Sequence, residues 1–455
     1  MCERTPLVGR TFRIISLGCA KNLVDSEYIA GSLIRNGWKL VDESTDECDL
    51  VIVNTCAFID DAQRESIEAL QQSLELKGEE RCTMVVAAGC LVQDAGTELR
   101  KGFPDTDLLV GTDEVPDFMD RLNTVLRPGN RVKLFRKRKS LGEPNLIRQR
   151  EPLESRLTRY VRIADGCNTG CGFCVIPRIR GPQKSLSYDA VIGECERLLE
   201  HGARELVIVA QDTTAYGADR GEKDAFEKLL SLLSNRYRAA DELWIRILYL
   251  NPHRVSDRLL DIMAQPPILP YFDLAIQHAH PRVLRSMLRP VPTGGHEALV
   301  FRIRERIPDA VLRATVMIGH PGEDENAFDH LLGFLEFARF NHVGVFTYSQ
   351  QNGTNSAKRK SPSKDEVEMR LVELNSVLTE IEEERFAETR GKSLRCIWDD
   401  HASSLEGALR ARSWMDAPDI DRIYIPENVL NYTSPFFWGT ISGGDMMRPT
   451  IRVME

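Results

Sequence analysis

The sequence predicts an α/β protein in three parts: an amino-terminal doubly wound parallel sheet, a central partial (βα)6 barrel and a carboxyl-terminal small five-stranded β-barrel. Short apolar runs alternate with amphipathic stretches over the first 125 residues, and again between residues 156 and 388. This alternation is typical of parallel βα units. After residue 389 short strand-like runs follow one another with Gly, Pro and Asp turns between them, which indicates a small barrel.

In the first segment, residues 11–125, three strand-like runs each end at a cysteine. SLGC ends at Cys19, VIVNTC at Cys56 and VVAAGC at Cys90. Ligands of open α/β sheets lie at the carboxyl ends of the strands, so we expect these three cysteines to converge there. Three buried thiols that act as small hydrophobic residues are the alternative.

Residues 126–155 form a predicted linker with the basic run RVKLFRKRKS at 131–140. A solvated linker or hairpin is the simpler interpretation of this run. A contact with ribosomal or transfer RNA is the alternative.

The central segment, residues 156–388, contains six strand signals separated by helical patterns. Six βα units are fewer than the eight of a closed barrel, and an open barrel leaves a lateral gap for a large substrate. A long amphipathic helix from Ser363 to about Arg390 closes the segment, and Gly391 marks its end. The strand signals are Tyr160–Ala164, Glu205–Ala210, Leu243–Leu250, Tyr271–Ile276, Val311–Ile318 and Val343–Tyr348.

Composition excludes several classes of protein. A net charge of −9 argues against a protein that coats nucleic acid by bulk charge. The sequence has no run of 18 apolar residues and its start has no apolar signal core, so we expect neither a membrane partner nor export. Eleven cysteines without an export signal indicate metal ligation or reactive thiols in a reducing cytoplasm.

The strongest motif is GCNTGCGFC, in which Cys167, Cys171 and Cys174 follow the first barrel strand with the spacing CxxxCxxC. A [4Fe–4S] cluster normally takes four protein ligands, so three cysteines leave one iron open for a small molecule. Zinc is the rival metal, but it prefers four protein ligands or a mixture of His and Cys. No histidine lies within 25 residues of the motif.

This motif, with an aromatic residue before the last cysteine, resembles the radical S-adenosylmethionine (SAM) superfamily. The resemblance implies that Cys167, Cys171 and Cys174 are the catalytic cluster ligands, and that SAM binds the open iron and is cleaved to a 5′-deoxyadenosyl radical. Phe173, Gln211 and Gln277 become candidate SAM contacts. Polar residues at strand ends also form turns, so the two glutamines have that alternative. His278 and Asp212 lie beside them, and Arg178 and Arg180 either neutralise a cluster or an anionic substrate, or form a solvated surface pair.

The segments SLGCAKNLVDSE, VIVNTCAFIDDAQRES and AAGCLVQ resemble the amino-terminal domain of the methylthiotransferases. In that family the equivalents of Cys19, Cys56 and Cys90 hold a second [4Fe–4S] cluster. The resemblance extends over about residues 11–455 and implies two clusters, SAM as both methyl donor and radical source, and a TRAM module at residues 389–455. His320 and the pair Gln351-Asn352 depart from the pattern, and neither position is a ligand.

Several stretches, among them IPRIRGPQKS, AIQHAHPRVLRSMLRP and SWMDAPDIDRIYI, resemble the branch of RimO type. That branch places a methylthio group on the β-carbon of an aspartate in the small-subunit ribosomal protein S-twelve, whereas the alternative MiaB branch modifies an isopentenyl-adenosine-type base of tRNA. From residue 389 onward eight basic and nine acidic residues give a charge of −1. This balance disfavours tRNA, which a basic module would bind. We expect Asp416, Asp419 and Asp421 to dock a basic protein.

The resemblance also implies a sulfur donor and an electron donor of flavodoxin or ferredoxin type. It leaves open whether the inserted sulfur comes from the cluster or from an external persulfide. A non-catalytic iron–sulfur scaffold is the remaining alternative. Two triplets that both lack a fourth ligand argue against it, because open iron sites suit substrate binding.

Overall fold

The computed structural model describes residues 10–42, 45, 47–126, 150–153, 155–400, 409–429, 434–446 and 448–454. The basic run at 131–140 and most of the predicted linker lie outside these residues. The chain divides into two compact units. One comprises residues up to 153 with 165–167 and 175–184, and the other comprises 154–164, 168–174 and 185–455. In the described part of the chain, we find no helix with both the length and the apolar character needed to cross a bilayer.

The strands are β1 Thr11–Ser16, β2 Lys39–Leu40, β3 Cys48–Thr55, β4 Cys82–Gly89, β5 Leu108–Gly111, β6 Thr158–Arg162, β7 Ala164–Asp165, β8 Lys184–Ser185, β9 Glu205–Val209, β10 Trp244–Ile247, β11 Tyr271–Gln277, β12 Val311–Ile318, β13 His342–Thr347, β14 Ser393–Asp399, β15 Arg410–Ser413, β16 Ile425–Glu427, β17 Phe436–Gly443 and β18 Thr450–Val453. The α-helices are α1 Ala20–Arg35, α2 Asp60–Gly78, α3 Cys90–Gly102, α4 Phe118–Leu126, α5 Ile176–Ile179, α6 Tyr188–Glu200, α7 Ala225–Tyr237, α8 Asp257–Met263, α9 Pro281–Ser286, α10 Gly295–Arg306, α11 Glu325–Ala338 and α12 Lys364–Ala387.

The first unit is built on a five-stranded parallel sheet in the order β2-β1-β3-β4-β5. Side chains alternate between the two faces of each strand, so Ile52 and Val86 pack with α1 and α4 on one face. Val51 and Val85 pack with α2 and α3 on the other face. Helices on both faces of a parallel sheet define the doubly wound architecture, which confirms the prediction for this segment.

The second unit contains six parallel barrel strands in two sheets, β6-β9-β10 and β11-β12-β13. Isolated bridges from Ile245 to Ile268 and from Leu250 to Leu274 connect the two sheets. Helices lie between successive strands, and α12 follows the sixth. The predicted partial (βα)6 barrel is confirmed.

The carboxyl-terminal strands form one sheet in the order β15-β14-β17-β18-β16. Its two edges meet where the N–H of Ala411 donates to the carbonyl of Tyr424 at 3.0 Å and the reverse bond measures 2.8 Å. The sheet is therefore curled into the small five-stranded barrel that the sequence predicts. We refer to residues 389–454 as the terminal module.

The terminal module packs against the amino-terminal ends of the barrel strands. Glu205, the first residue of β9, accepts hydrogen bonds from Arg412 of the module at 2.6 Å and from Arg246 of β10 at 2.7 Å. All three side chains are at most 1% exposed. The module therefore closes the end of the barrel opposite the carboxyl ends of its strands.

The predicted docking cluster of Asp416, Asp419 and Asp421 is wrong. Asp416 is buried, and Asp421 accepts from the hydroxyl of Tyr271 at 2.5 Å and pairs with Arg313 at 3.3 Å. Asp419 is exposed, but it accepts from the hydroxyl of Tyr160. These partners belong to barrel strands that precede the aspartates by more than a hundred residues, so the charge cluster in the sequence becomes an internal contact in the fold.

Candidate active site

Three cysteines lie at strand-to-helix junctions along one edge of the amino-terminal sheet. Cys19 directly precedes α1, Cys56 directly follows β3, and Cys90 is the first residue of α3. The strands β1, β3 and β4 are parallel neighbours, so their carboxyl ends meet at this edge. Cys56 and Cys90 are buried, whereas Cys19 is exposed at the rim. We call these three residues the amino-terminal triplet.

The three thiols lie close enough to affect one another's ionisation. Burial raises the pKa of Cys90 to about 12; Arg180 opposes this rise, and Cys19 and Cys56 add to it. Burial also raises the pKa of Cys56. Cys19 is an exposed residue, and although partial loss of water around its sulfur opposes ionisation, Lys21, Arg180 and backbone N–H groups at the start of α1 outweigh this and lower its pKa. A metal centre that binds all three as thiolates would relieve their mutual repulsion.

The side chain of Asn22, in the first turn of α1, connects the loops of the amino-terminal triplet. Its Nδ2 donates to the carbonyl oxygens of Leu17 at 3.0 Å and Thr55 at 2.9 Å. Its Oδ1 accepts from Cys90 Sγ at 3.3 Å. One amide therefore fixes the relative positions of the three strand ends.

Arg180 reaches the same site from a later part of the chain. Its Nη2 donates to Asn22 Oδ1 at 2.6 Å and lies 3.4 Å from Cys90 Sγ. Its Nη1 pairs with Asp25 at 2.8 Å and with Asp165 at 3.4 Å. The side chain is 2% exposed. The guanidinium therefore places a buried positive charge beside the triplet.

Arg178 differs from Arg180, although the sequence suggests a pair. Its Nε and Nη2 donate to the two carboxylate oxygens of Asp94 at 2.6 and 2.8 Å. The Arg178 side chain is 39% exposed. The surface interpretation thus fits Arg178, and the interpretation as a neutralising charge fits Arg180.

The backbone at Gly18 leaves room for a thiol. Gly18 has φ +92°, and a Cβ there would lie 2.8 Å from the Sγ of Cys56. Such a contact is too short for any side chain to be accepted without movement of the sulfur. Glycine is therefore required both by the backbone conformation and by the space that Cys56 occupies.

The loop with Cys167, Cys171 and Cys174, which we call the barrel triplet, follows the first barrel strand. The N–H of Gly172 donates to the carbonyl of Met287 at 2.7 Å, and its own carbonyl accepts from the N–H of Ser356 at 2.8 Å. Cys171 Sγ lies 3.4 Å from Nη1 of Arg289, whose side chain is itself buried. The middle of the loop is thus fixed to the barrel, and one of its sulfurs has a cationic donor.

Phe173 is largely buried among Val283, Leu284 and Met287 beside the half-buried Cys171 and Cys174. Its ring meets the ring of His320 edge-on, with centroids 6.1 Å apart. His320 also contacts Ser356 Oγ through Nε2 at 2.8 Å, and burial lowers its pKa to about 4. His320 is therefore a neutral packing partner of the loop.

The predicted polar residues at the barrel strand ends have different surroundings. Gln211 is half-buried just after β9, and the next residue, Asp212, accepts from Thr169 of the cysteine loop at 3.0 Å. Gln277 ends β11 with φ +69°, a conformation that is rare for residues with a side chain. His278 is buried, with Nε2 3.5 Å from Glu323. Asp212 thus anchors the loop, and Gln211 and Gln277 stay candidates for SAM contacts.

The donor set at both triplets fits an iron–sulfur cluster. Within the described ranges, no three His, Cys, Asp or Glu side chains surround the position of a single metal ion. A cubane takes each cysteine on a different iron, so its ligands stand farther apart than those of one ion. All-sulfur triplets, each with an arginine near one sulfur, suit an anionic cluster and leave one iron without a protein ligand.

Comparison with known proteins defines the class. Residues 161–335 match the Radical SAM superfamily, and residues 11–111 match a family described as "Uncharacterized protein family UPF0004". The fold is similar to that of the radical SAM methyltransferase TsrM from Kitasatospora setae, with a TM-score of 0.54 and 14% identity over 77% of each chain. At this identity the likeness concerns the fold alone. The protein is a radical SAM enzyme.

Curated relatives define the family. The chain is 37% identical to the ribosomal protein uS12 methylthiotransferase RimO of Symbiobacterium thermophilum, over 92% of this chain and 86% of that one. It is 36% identical to RimO of Syntrophotalea carbinolica over 93% of each chain, and 37% identical to RimO of Desulforudis audaxviator over 90% of each. The chain belongs to the RimO family of radical SAM methylthiotransferases. The cofactors of this family, two [4Fe–4S] clusters and SAM, agree with the two triplets.

Proposed function

We propose that the protein places a methylthio group on the β-carbon of an aspartate in ribosomal protein uS12. The observation that supports this most is the likeness to uS12 methylthiotransferases over nine-tenths of the chain. The near-neutral terminal module supports it as well, since a module that binds tRNA should be basic. Modification of a tRNA base is the outcome that would oppose it.

We infer that Cys167, Cys171 and Cys174 hold the cluster that binds SAM, and that Cys19, Cys56 and Cys90 hold the second cluster. When bound, the cluster at the barrel triplet would supply the electron for reductive cleavage of SAM. The second cluster would supply a site where sulfur is held for methylation. Phe173 and its apolar neighbours keep water away from the barrel triplet. Gln211 and Gln277 are proposed to orient SAM at the strand ends.

The remaining partners follow from this chemistry. Sulfur is consumed in each turnover, so a sulfur donor is required, and an electron donor of flavodoxin or ferredoxin type must supply the reducing equivalents. We propose that the enzyme works in the cytoplasm, where thiols stay reduced. The domain bounds that we propose are 11–125 for the domain of the second cluster, 126–155 for the linker, 156–388 for the radical SAM core and 389–455 for the TRAM domain.

The test combines iron content, SAM cleavage and product mass in one set of variants. Anaerobically reconstituted protein should hold about eight irons, since each cubane has four. With uS12, SAM, sulfide and a reductant, it should replace one hydrogen of uS12 by a methylthio group. Changing Cys167, Cys171 and Cys174 to Ala should leave about four irons and abolish SAM cleavage. Changing Cys19, Cys56 and Cys90 to Ala should also leave about four irons, preserve SAM cleavage and stop product formation.

Cys195→Ala is the matched control, because Cys195 is a buried cysteine outside both triplets. It should keep both clusters and the product. A plateau of about four irons in the unmodified protein would contradict the two-cluster assignment. Methylthiolated uS12 from the Cys19/Cys56/Cys90 variant would show that the second cluster is unnecessary.

A further inference from the structure

Arg180 has a chemical setting that the assignment of six cysteine ligands leaves unexplained. It is a buried cation within hydrogen-bonding reach of the sulfur of a proposed ligand, Cys90, at 3.4 Å. A buried charge is costly unless its partners compensate for it. The groups that contact Arg180 therefore indicate the role of its positive charge beside the amino-terminal triplet.

The guanidinium divides its donors between two kinds of partner. One nitrogen, Nη1, pairs with the carboxylates of Asp25 and Asp165. The other, Nη2, is directed to Asn22 Oδ1 at 2.6 Å and to Cys90 Sγ. The carboxylates hold the fork in one orientation, and the sulfur receives the donor that remains. A lysine ammonium has no rigid fork and cannot reproduce this division.

The four charged side chains around the amino-terminal triplet have a net charge of zero, and without Arg180 they would be net negative. Lys21 and Arg180 contribute two positive charges near Cys19, and Asp25 and Asp165 contribute two negative ones next to Arg180. Three thiolates on a [4Fe–4S] core add further negative charge, which increases when the cluster is reduced. Without Arg180 an anionic cluster would face an excess of carboxylates in a buried setting.

We propose that Arg180 is a positioning and tuning residue of the second cluster: it donates to the sulfur of Cys90, compensates the charge of the cluster and raises its reduction potential. This proposal rests on the assignment of that cluster to Cys19, Cys56 and Cys90. Net charge and hydrogen bonds to the sulfurs are two of the factors that set the potential of an iron–sulfur cluster. A donor cation stabilises the more negative, reduced state, so its loss lowers the potential.

The test uses the full chain with Cys167, Cys171 and Cys174 changed to Ala, so that only the second cluster contributes. In this parent, the midpoint potential is measured by a redox titration followed by electron paramagnetic resonance, together with iron content and far-UV circular dichroism. Arg180→Gln should lower the potential or lose iron from a folded chain. Arg180→Lys retains the charge without the fork, and its potential should fall between those of Arg180→Gln and the parent.

Arg178→Gln is the matched control, two residues away and paired with Asp94 at the surface. It should leave the potential and the iron content at the values of the parent. Variants of Arg180 that keep about four irons with the potential and spectrum of the parent would overturn the proposal. If Arg180→Gln does not fold, Arg180→Lys decides: a lowered potential supports the proposal, and an unchanged potential overturns it.

Failure of the cluster assignment would have a different signature. In that case the parent itself would hold no iron, or would keep its iron when Cys19, Cys56 and Cys90 are changed to Ala. Either result defeats the assignment and the role of Arg180 together. An unchanged potential in the Arg180 variants of an iron-loaded parent defeats the role of Arg180 alone.

Discussion

At the residue scale, the amino-terminal triplet depends on available space as well as on sulfur. Gly18 precedes Cys19 and faces Cys56, so a methyl group at Gly18 would lie 2.8 Å from the sulfur of a proposed ligand. A core that is already well packed can move such a sulfur only at a cost of about 1–3 kcal/mol. The position of Cys56 thus depends on a residue that has no side chain.

Gly18→Ala should therefore displace Cys56 and impair the second cluster. We expect the iron content of the chain to fall from about eight toward four, with SAM cleavage at the barrel triplet retained. Gly202→Ala is the control, because Gly202 has φ +98° but no atom within 4 Å of the added Cβ. An iron content of about eight in both variants would contradict a clash between the added methyl group and Cys56.

The sequence predicts the six cysteine ligands and offers Arg180 as a charge that neutralises a cluster or an anionic substrate, but it does not predict the contacts that join these groups. Cysteines at fixed spacing or at strand ends are local features that can be read directly. Asn22 meets Arg180 across 158 residues and Cys90 across 68, and such pairings arise only when the chain folds. The position of Asn22 three residues after Cys19, in a first helical turn, is the signal by which it could have been found.

At the element scale, βα periodicity predicts the sheet and the barrel well, because each strand and helix has its own apolar pattern. The predicted strand Val311–Ile318 coincides with β12, and the helix predicted from Ser363 to about Arg390 is α12, which Ser363 caps. The role of Asp416, Asp419 and Asp421 could not be predicted in this way. Local sequence shows three charges in a turn, whereas the fold supplies Tyr271, Arg313 and Tyr160 as partners from other elements.

The contact between the barrel and the terminal module should depend strongly on Glu205. Glu205→Gln leaves Arg246 and Arg412 buried without a carboxylate, and breaking such a buried pair costs about 3–5 kcal/mol. Glu196→Gln is the control, since Glu196 pairs with Arg236 at an exposed site where a salt bridge contributes about 0–1 kcal/mol. Chemical denaturation of the protein without clusters measures the free energy of unfolding of both variants. Equal midpoints for the two variants would contradict a structural role for Glu205.

The same carboxylate gives this contact a pH dependence. Burial opposes ionisation of Glu205, but Arg412 and Arg246 outweigh it and lower its pKa to about 2. The stabilisation is therefore fully present above the ordinary glutamate pKa and is lost as the pH falls through about 2. In Glu205→Gln this part of the acid dependence should disappear.

At the scale of the whole molecule, the terminal module closes the amino-terminal end of the barrel, and the cysteine loop lies near the carboxyl ends of the strands. A docking role for the module stays a prediction. The three aspartates cannot carry that role, because the side chains of Asp416 and Asp421 are buried and Asp419 is bound to Tyr160. Reversing their charge would disturb the barrel contact rather than the encounter with a substrate.

The incomplete barrel leaves an opening that can admit a large substrate. Six strands leave the barrel incomplete, and a protein loop needs such an opening more than a small molecule does. The sequence predicts this architecture because the strand and helix patterns of the βα units recur along the chain. It does not predict which macromolecule enters, and that distinction rests on the likeness to uS12 methylthiotransferases.

The most direct measurement is the mass of uS12 and the nucleoside composition of tRNA from cells with and without this gene. Loss of the gene should remove one methylthio group from uS12, and a copy of the gene should restore it, while methylthiolated nucleosides of tRNA stay unchanged. A gene copy with Cys167, Cys171 and Cys174 changed to Ala should not restore it. Unchanged uS12 together with the loss of a methylthiolated tRNA nucleoside would contradict the account.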